Sequence, residues 1–125
     1  MRKTAVLLAA ACLVAASCSS NIKKSSSGVT VKAGDGTTVK VEVVTDDIIH
    51  VTAVPAGAKF SSKQSLMVVP QKRKARFSLE KLEDCARIGT QSLLVTVSLA
   101  DGRVAYYEPD GTLVSSELQR EFTPF

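Results

Sequence analysis

Val39-Lys40-Val41-Glu42-Val43-Val44-Thr45-Asp46-Asp47-Ile48-Ile49-His50-Val51-Thr52-Ala53 decides the fold. Val39, Val41 and Val43 alternate with Lys40 and Glu42, the period-two pattern of a strand with one buried face. Thr45-Asp46-Asp47 supplies turn chemistry, and Ile49, Val51 and Ala53 return with the same period. A helix would need its apolar residues three and four apart, and no stretch of the chain sustains that spacing. The nearest approach is Leu79 to Ala86, which is short and uncapped.

The same alternation runs outward in both directions. Val29 and Val31 precede a turn at Ala33-Gly34-Asp35-Gly36, and Pro55-Ala56-Gly57 ends the hairpin. Leu66-Met67-Val68-Val69 is a continuous apolar run closed by Pro70, and Phe77 and Leu79 begin another strand. Leu93, Val95, Val97 and Leu99 form the clearest strand, with Ser92, Thr96 and Ser98 on its other face. Asp101-Gly102 turns it into Val104–Tyr107, and Asp110-Gly111 turns again into Leu113-Val114. Aspartate–glycine pairs between alternating runs signal hairpins, because glycine accepts the positive φ of the turn. The expected fold is all-β, an antiparallel β-sandwich over residues 28–125.

The first residues belong to a different kind of segment. Arg2 and Lys3 precede a 12-residue apolar run from Ala5 to Ala16, then Ser17-Cys18. A spanning helix needs about twenty apolar residues, so the run reads as a cleaved signal peptide, residues 1–17. Leu13-Val14-Ala15-Ala16-Ser17-Cys18 resembles a bacterial lipobox, which implies lipidation of Cys18 and a membrane anchor. Residues 18–27 are serine-rich and read as a flexible tether. No acidic residue occurs before Asp35, so the tether lacks the acidic run that resembles a surface-export signal. The expected location is the outer membrane of a Gram-negative bacterium, facing the periplasm.

Composition narrows the function classes. The net charge is +4, and Arg2 and Lys3 leave with the signal, so the balance is mildly basic. Lys72-Arg73-Lys74-Ala75-Arg76 has no interleaved aromatic residue and reads as a solvated loop, with no nucleic-acid partner. Once Cys12 and Cys18 are assigned, Cys85 remains alone and no internal disulfide can form. Cys85 reads as a buried structural thiol rather than a nucleophile paired with His50, the one histidine. One histidine and one spare thiol fall short of a metal set, and no phosphate loop is present, so no cofactor or metal is expected. Acid–base catalysis by a carboxylate pair needs both groups to face one bond. Asp46-Asp47 and Glu83-Asp84 are sequence neighbours, and adjacent strand residues point to opposite faces, so no catalytic residue is assigned. Tyr106 and Tyr107 could offer one ring for sugar stacking, and packing is the simpler role.

Three segments resemble the amino-terminal, galactose-mutarotase-like sandwich of glycoside hydrolase family 31, the α-xylosidases and α-glucosidases. They are Val41–Pro55, with His50 where the family usually has arginine; Ser65–Val69; and Ile88–Val97 continuing through Asp110-Gly111-Thr112-Leu113, Glu117 and Phe122-Thr123-Pro124. The resemblance covers about residues 28–125. It implies an enzyme acting on oligosaccharides through a (β/α)8 barrel that follows the sandwich. The family's nucleophile lies in an Asp-Met-x-Glu type motif, and the methionines here, Met1 and Met67, do not follow aspartate. The chain therefore reads as a non-catalytic fragment lacking that barrel, with no sugar-binding residue assigned. A second reading is a free-standing lipoprotein module that binds a glycan or a partner protein. As a fragment, the chain is expected to leave the Leu93–Leu99 face, opposite Val104 and Tyr106, uncovered and prone to association.

Overall fold

The computed structural model describes residues 21–63 and 75–123. It contains nine strands and, among the described residues, no α-helix. Strands β1 (Ile22–Lys24), β2 (Gly28–Lys32), β3 (Thr38–Thr45) and β4 (Ile48–Val54) form one sheet. Strands β5 (Ser78–Lys81), β6 (Cys85–Gly89), β7 (Leu94–Ser98), β8 (Val104–Tyr107) and β9 (Leu113–Ser116) form the other. Each sheet is an antiparallel meander in which every strand pairs with its neighbour in sequence.

The alternation read from the sequence is what builds the core. Val29 and Val31 of β2, and Val39 and Val41 of β3, face Ala86, Ile88, Val95, Val97 and Val104 of the second sheet, and solvent scarcely reaches any of them. Ile49, Val51, Ala53 and Tyr106 close the margins. Each buried valine or isoleucine contributes roughly 1.5–3 kcal/mol, so this two-layer contact is the main source of stability. The Leu93–Leu99 face is covered within the chain, contrary to expectation: Val95 and Val97 are fully inaccessible because the first sheet lies over them.

The two sheets are pinned at both ends. At one end the Gly34 and Asp35 amides donate to the Leu99 and Ala100 carbonyls, at 2.7 and 3.1 Å. At the other, the Thr90 hydroxyl donates to the Asp46 carbonyl. All three Asp-Gly turns share one design. The carboxylates of Asp35, Asp101 and Asp110 accept the amides of Thr37, Arg103 and Thr112, and the intervening glycines have φ between +73° and +94°.

One boundary is corrected, and one hairpin is added. The tether was drawn over residues 18–27, but the ordered sandwich begins at Ile22. Strand β1 pairs with β2, placing Ile22 against Val31, and Ile22 is buried in the core. A single apolar residue suffices for this, because one side chain is all that a three-residue edge strand turns inward. Leu79–Ala86 holds parts of two strands. Its turn closes through the Leu82 amide and the Cys85 carbonyl without glycine or proline, which hid the hairpin.

Candidate functional site

The outward face of the five-stranded sheet forms a shallow depression of about 790 Å³. Ladder register explains its lining. Leu94 pairs with Tyr107, and Tyr107 with Leu113, giving an apolar row across β7, β8 and β9. Arg87, Thr96, Ala105 and Ser116 form the next row, and Cys85 pairs with Ser98 in the one after. Tyr106 turns its ring inward to the core, where desolvation pushes its hydroxyl pKa up, and Tyr107 lines the depression. Alternation thus leaves one tyrosine available, as the strand pattern requires.

A second hollow of about 480 Å³ lies where Asp35, Thr37 and Asp101 meet the segment after β9. Its charged groups bind one another. Arg103 pairs with Asp101 at 2.6 Å and donates to the Leu118 carbonyl at 3.1 Å. Arg120 pairs with Glu117 and donates to the Gly102 carbonyl at 3.2 Å. The Glu117 carboxylate also accepts the Val104 amide at 2.9 Å. These contacts fasten residues 117–120 to the β7–β8 turn.

The carboxylates weighed for catalysis are in turns. The Asp47 carboxylate accepts the Thr45 hydroxyl at 2.6 Å, and the Asp46 carbonyl receives Thr90. Glu83 and Asp84 lie in the β5–β6 turn. A glycosidase's general acid has a raised pKa. Here the displaced carboxyls, Glu42, Asp101 and Asp110, are all displaced downward: Glu42 by Lys40 and then His50, Asp101 by the Arg103 amide, and Asp110 by the Thr112 amide. Among the described residues, no three histidine, cysteine, aspartate or glutamate side chains gather as a metal site.

His50 and Cys85 cannot act together. His50 lies on the outward face of the first sheet, its Nδ1 2.9 Å from Glu42, whereas Cys85 lies on the outward face of the second. Cys85 is half-buried rather than buried, because its neighbours Ala86 and Ile88 take the inward positions. Desolvation, reinforced by Asp84, pushes its thiol pKa up, which opposes thiolate chemistry. Cys18, the Leu66–Val69 run and Lys72–Lys74 lie outside the described residues.

Thr90 and Glu117 were singled out in sequence only through the family resemblance. Both prove to be structural fasteners, one between sheets and one between β8 and the segment after β9.

No protein-family model matches the chain. Solved structures do. An α-xylosidase of glycoside hydrolase family 31 from Xanthomonas citri superposes with a TM-score of 0.67 at 34% identity, over 77% of this chain and 11% of the enzyme. A second, from a soil metagenome and solved with xylose, superposes with a TM-score of 0.62 at 21% identity, over 77% of this chain and 14% of its own. An uncharacterized Listeria monocytogenes protein, solved with glucose, magnesium and calcium, shares the fold at 14% identity and a TM-score of 0.57, over 77% of this chain and 9% of its own. The chain thus spans only about a tenth of the length of the proteins it matches.

Proposed function

We propose that this chain is the non-catalytic amino-terminal β-sandwich of a lipid-anchored family 31 α-glycosidase, an α-xylosidase or α-glucosidase of oligosaccharides. Its role is to support a catalytic (β/α)8 barrel and help shape the sugar site. Substrate is engaged only through that barrel. Acylation of Cys18 holds the enzyme at the outer membrane, facing the periplasm. The observation that carries this reading is the 34% identity to the Xanthomonas enzyme over most of this chain but a small part of that one. The carboxylates nearest in sequence to one another, Asp46-Asp47 and Glu83-Asp84, lie in turns, which supports a structural role for them.

The second reading, a free-standing lipoprotein module for a glycan or partner protein, draws on the closed core. Val95 and Val97 are inaccessible without any further domain, and Tyr107 faces a depression. The genomic sequence downstream of the Phe125 codon separates the two. An in-frame barrel, or one behind a single frameshift, supports the glycosidase reading. A stop with no barrel nearby overturns it in favour of the module.

A further inference from the structure

The two halves of the sandwich carry opposite charge. Residues 21–63 have six lysines against four carboxylates, whereas residues 75–123 have five lysines and arginines against eight carboxylates. Within the first sheet the segregation is sharper. Strands β1–β4 hold four lysines and a single carboxylate, Glu42. Ladder register places three of those lysines on the outward face. Lys23, Thr30, Lys40 and Thr52 form one row across the sheet, and Lys32, Thr38 and Val54 form the next. Their strand neighbours Val29, Val31, Val39 and Val41 take the inward positions. Lys24 is the exception, since it turns toward the Phe77 ring, 5.1 Å from its centre. Glu42 lies 2.8 Å from Lys40 and 2.9 Å from His50, so it offsets Lys40 and leaves Lys23 and Lys32 to set the sign of the face.

We infer that the outward face of the four-stranded sheet lies on an anionic lipid surface, with Lys23, Lys32 and Lys40 toward the headgroups and the five-stranded sheet turned away. Charge complementarity selects the occupant, because a body with one basic and one acidic side turns the basic side to a negative surface. Lysine is depleted at protein–protein interfaces, so a face of lysines and threonines fits a hydrated headgroup layer better than a close-packed neighbour. The tether selects the same face. Only Ser19, Ser20 and Asn21 separate Cys18 from β1, and β1 belongs to the basic sheet. An extended spacer of that length keeps the sheet within roughly 15 Å of the bilayer. Screening at physiological salt acts over about 8 Å, so a sheet tethered this closely is the one that feels the surface. This orientation rests on the Cys18 acylation of the proposed function and needs no barrel.

The test uses the acylated chain in a Cys85→Ser background, with a fluorophore on Thr30→Cys or on Thr96→Cys. These threonines occupy the outward faces of the two sheets. The vesicles are phosphatidylcholine with or without phosphatidylglycerol, and carry a quencher on the headgroup. With phosphatidylglycerol present, quenching at Thr30→Cys should exceed quenching at Thr96→Cys by about threefold or more. The preference should vanish in phosphatidylcholine alone, at high salt, and in a Lys23→Gln, Lys32→Gln, Lys40→Gln variant. The matching arginine variant should keep it, which separates charge from any loss of fold. A second form, with a hexahistidine tag in place of residues 1–18, is held on nickel-chelating lipid and repeats the comparison without an acyl group. A chain that does not float with the vesicles would overturn the acylation, and the tagged form would still decide the orientation. Equal quenching at the two positions would overturn the inference. So would stronger quenching at Thr96→Cys, or a preference that survives loss of the three lysines.

Discussion

The Thr90 hydroxyl donates to the Asp46 carbonyl and so ties the β6–β7 turn of one sheet to the β3–β4 turn of the other, 44 residues apart in sequence. The same oxygen accepts the amides of Leu93 at 3.0 Å and Ser92 at 3.2 Å, so one side chain shapes its own turn and clasps the opposite sheet. Thr90→Val keeps the volume and removes these bonds. Leaving part-buried polar groups unpaired costs about 1–3 kcal/mol, so urea denaturation should show a loss of that order. Thr90→Ser retains the hydroxyl and should lose under half as much. Equal losses would show that the methyl group, not the oxygen, matters.

How much of this was legible beforehand depends on the kind of interaction. Val39, Val41, Val95 and Val97 announce their burial because strand alternation is local, and the structure buries all four. The Asp-Gly turns are equally local. Ile22 is different. It gains its place only by pairing with Val31, a contact that no pattern within Ser19–Gly28 encodes. The Thr90 clasp depends on two turns meeting in space, and nothing near Asp46 marks its carbonyl as an acceptor. The covered face of β7 was misjudged for a similar reason. Period two shows that a face is apolar but not which sheet lies over it, and here β2 and β3 of the same chain do.

Gly28 is required for space rather than for φ. A β-carbon added there would sit 1.9 Å from the Val41 carbonyl oxygen, and backbone cannot yield as a flexible side chain does. Gly28→Ala should therefore destabilise the fold by about 1–3 kcal/mol, the cost of forced repacking. Gly111, with φ of +94° and open space around it, is the control, since Gly111→Ala meets backbone strain alone. Thermal melts should place Gly28→Ala below Gly111→Ala. The reverse order would mean that β2 and β3 can separate at Gly28 without cost.

Lys40 at 2.8 Å and His50 at 2.9 Å hold the Glu42 carboxyl pKa below its ordinary value of 4.5. A depressed carboxylate stabilises the fold above its unfolded pKa, and that contribution is lost as pH falls through the lower, folded value. The window therefore lies below about pH 4.5. The group is partly exposed, so screening keeps the effect under about 1 kcal/mol. Glu42→Gln should flatten the stability curve in that window and leave the slope near neutrality unchanged. A variant that tracks the wild type down to pH 3 would show that the pair contributes nothing.

On its own the chain should not hydrolyse aryl α-xylosides or α-glucosides. Asp46, Asp47, Glu83 and Asp84 all lie in turns, and the Asp47 carboxylate is engaged by the Thr45 hydroxyl. Turnover that survives purification and disappears in a point variant of Asp46, Asp47, Glu83 or Asp84 would overturn the non-catalytic reading.

The proposed anchor makes the last prediction. The 12-residue apolar run is too short to span a bilayer, and Cys18 follows it where an acylated cysteine would stand. Because β1 begins at Ile22, Ser19, Ser20 and Asn21 are the whole spacer between Cys18 and the sandwich. Extended chain covers about 3.3–3.6 Å per residue, so an acyl group on Cys18 would hold the sandwich within roughly 15 Å of the lipid headgroups. Lys23 and Lys24 would then face an anionic surface at short range, where each contributes about 1 kcal/mol. Labelling cells with a fatty-acid analogue should tag the wild type and not Cys18→Ala. Membrane retention should drop sharply in Cys18→Ala and only slightly in a Lys23→Gln, Lys24→Gln double variant, because several acyl chains outweigh two lysines. Equal labelling of wild type and Cys18→Ala would sink the anchor.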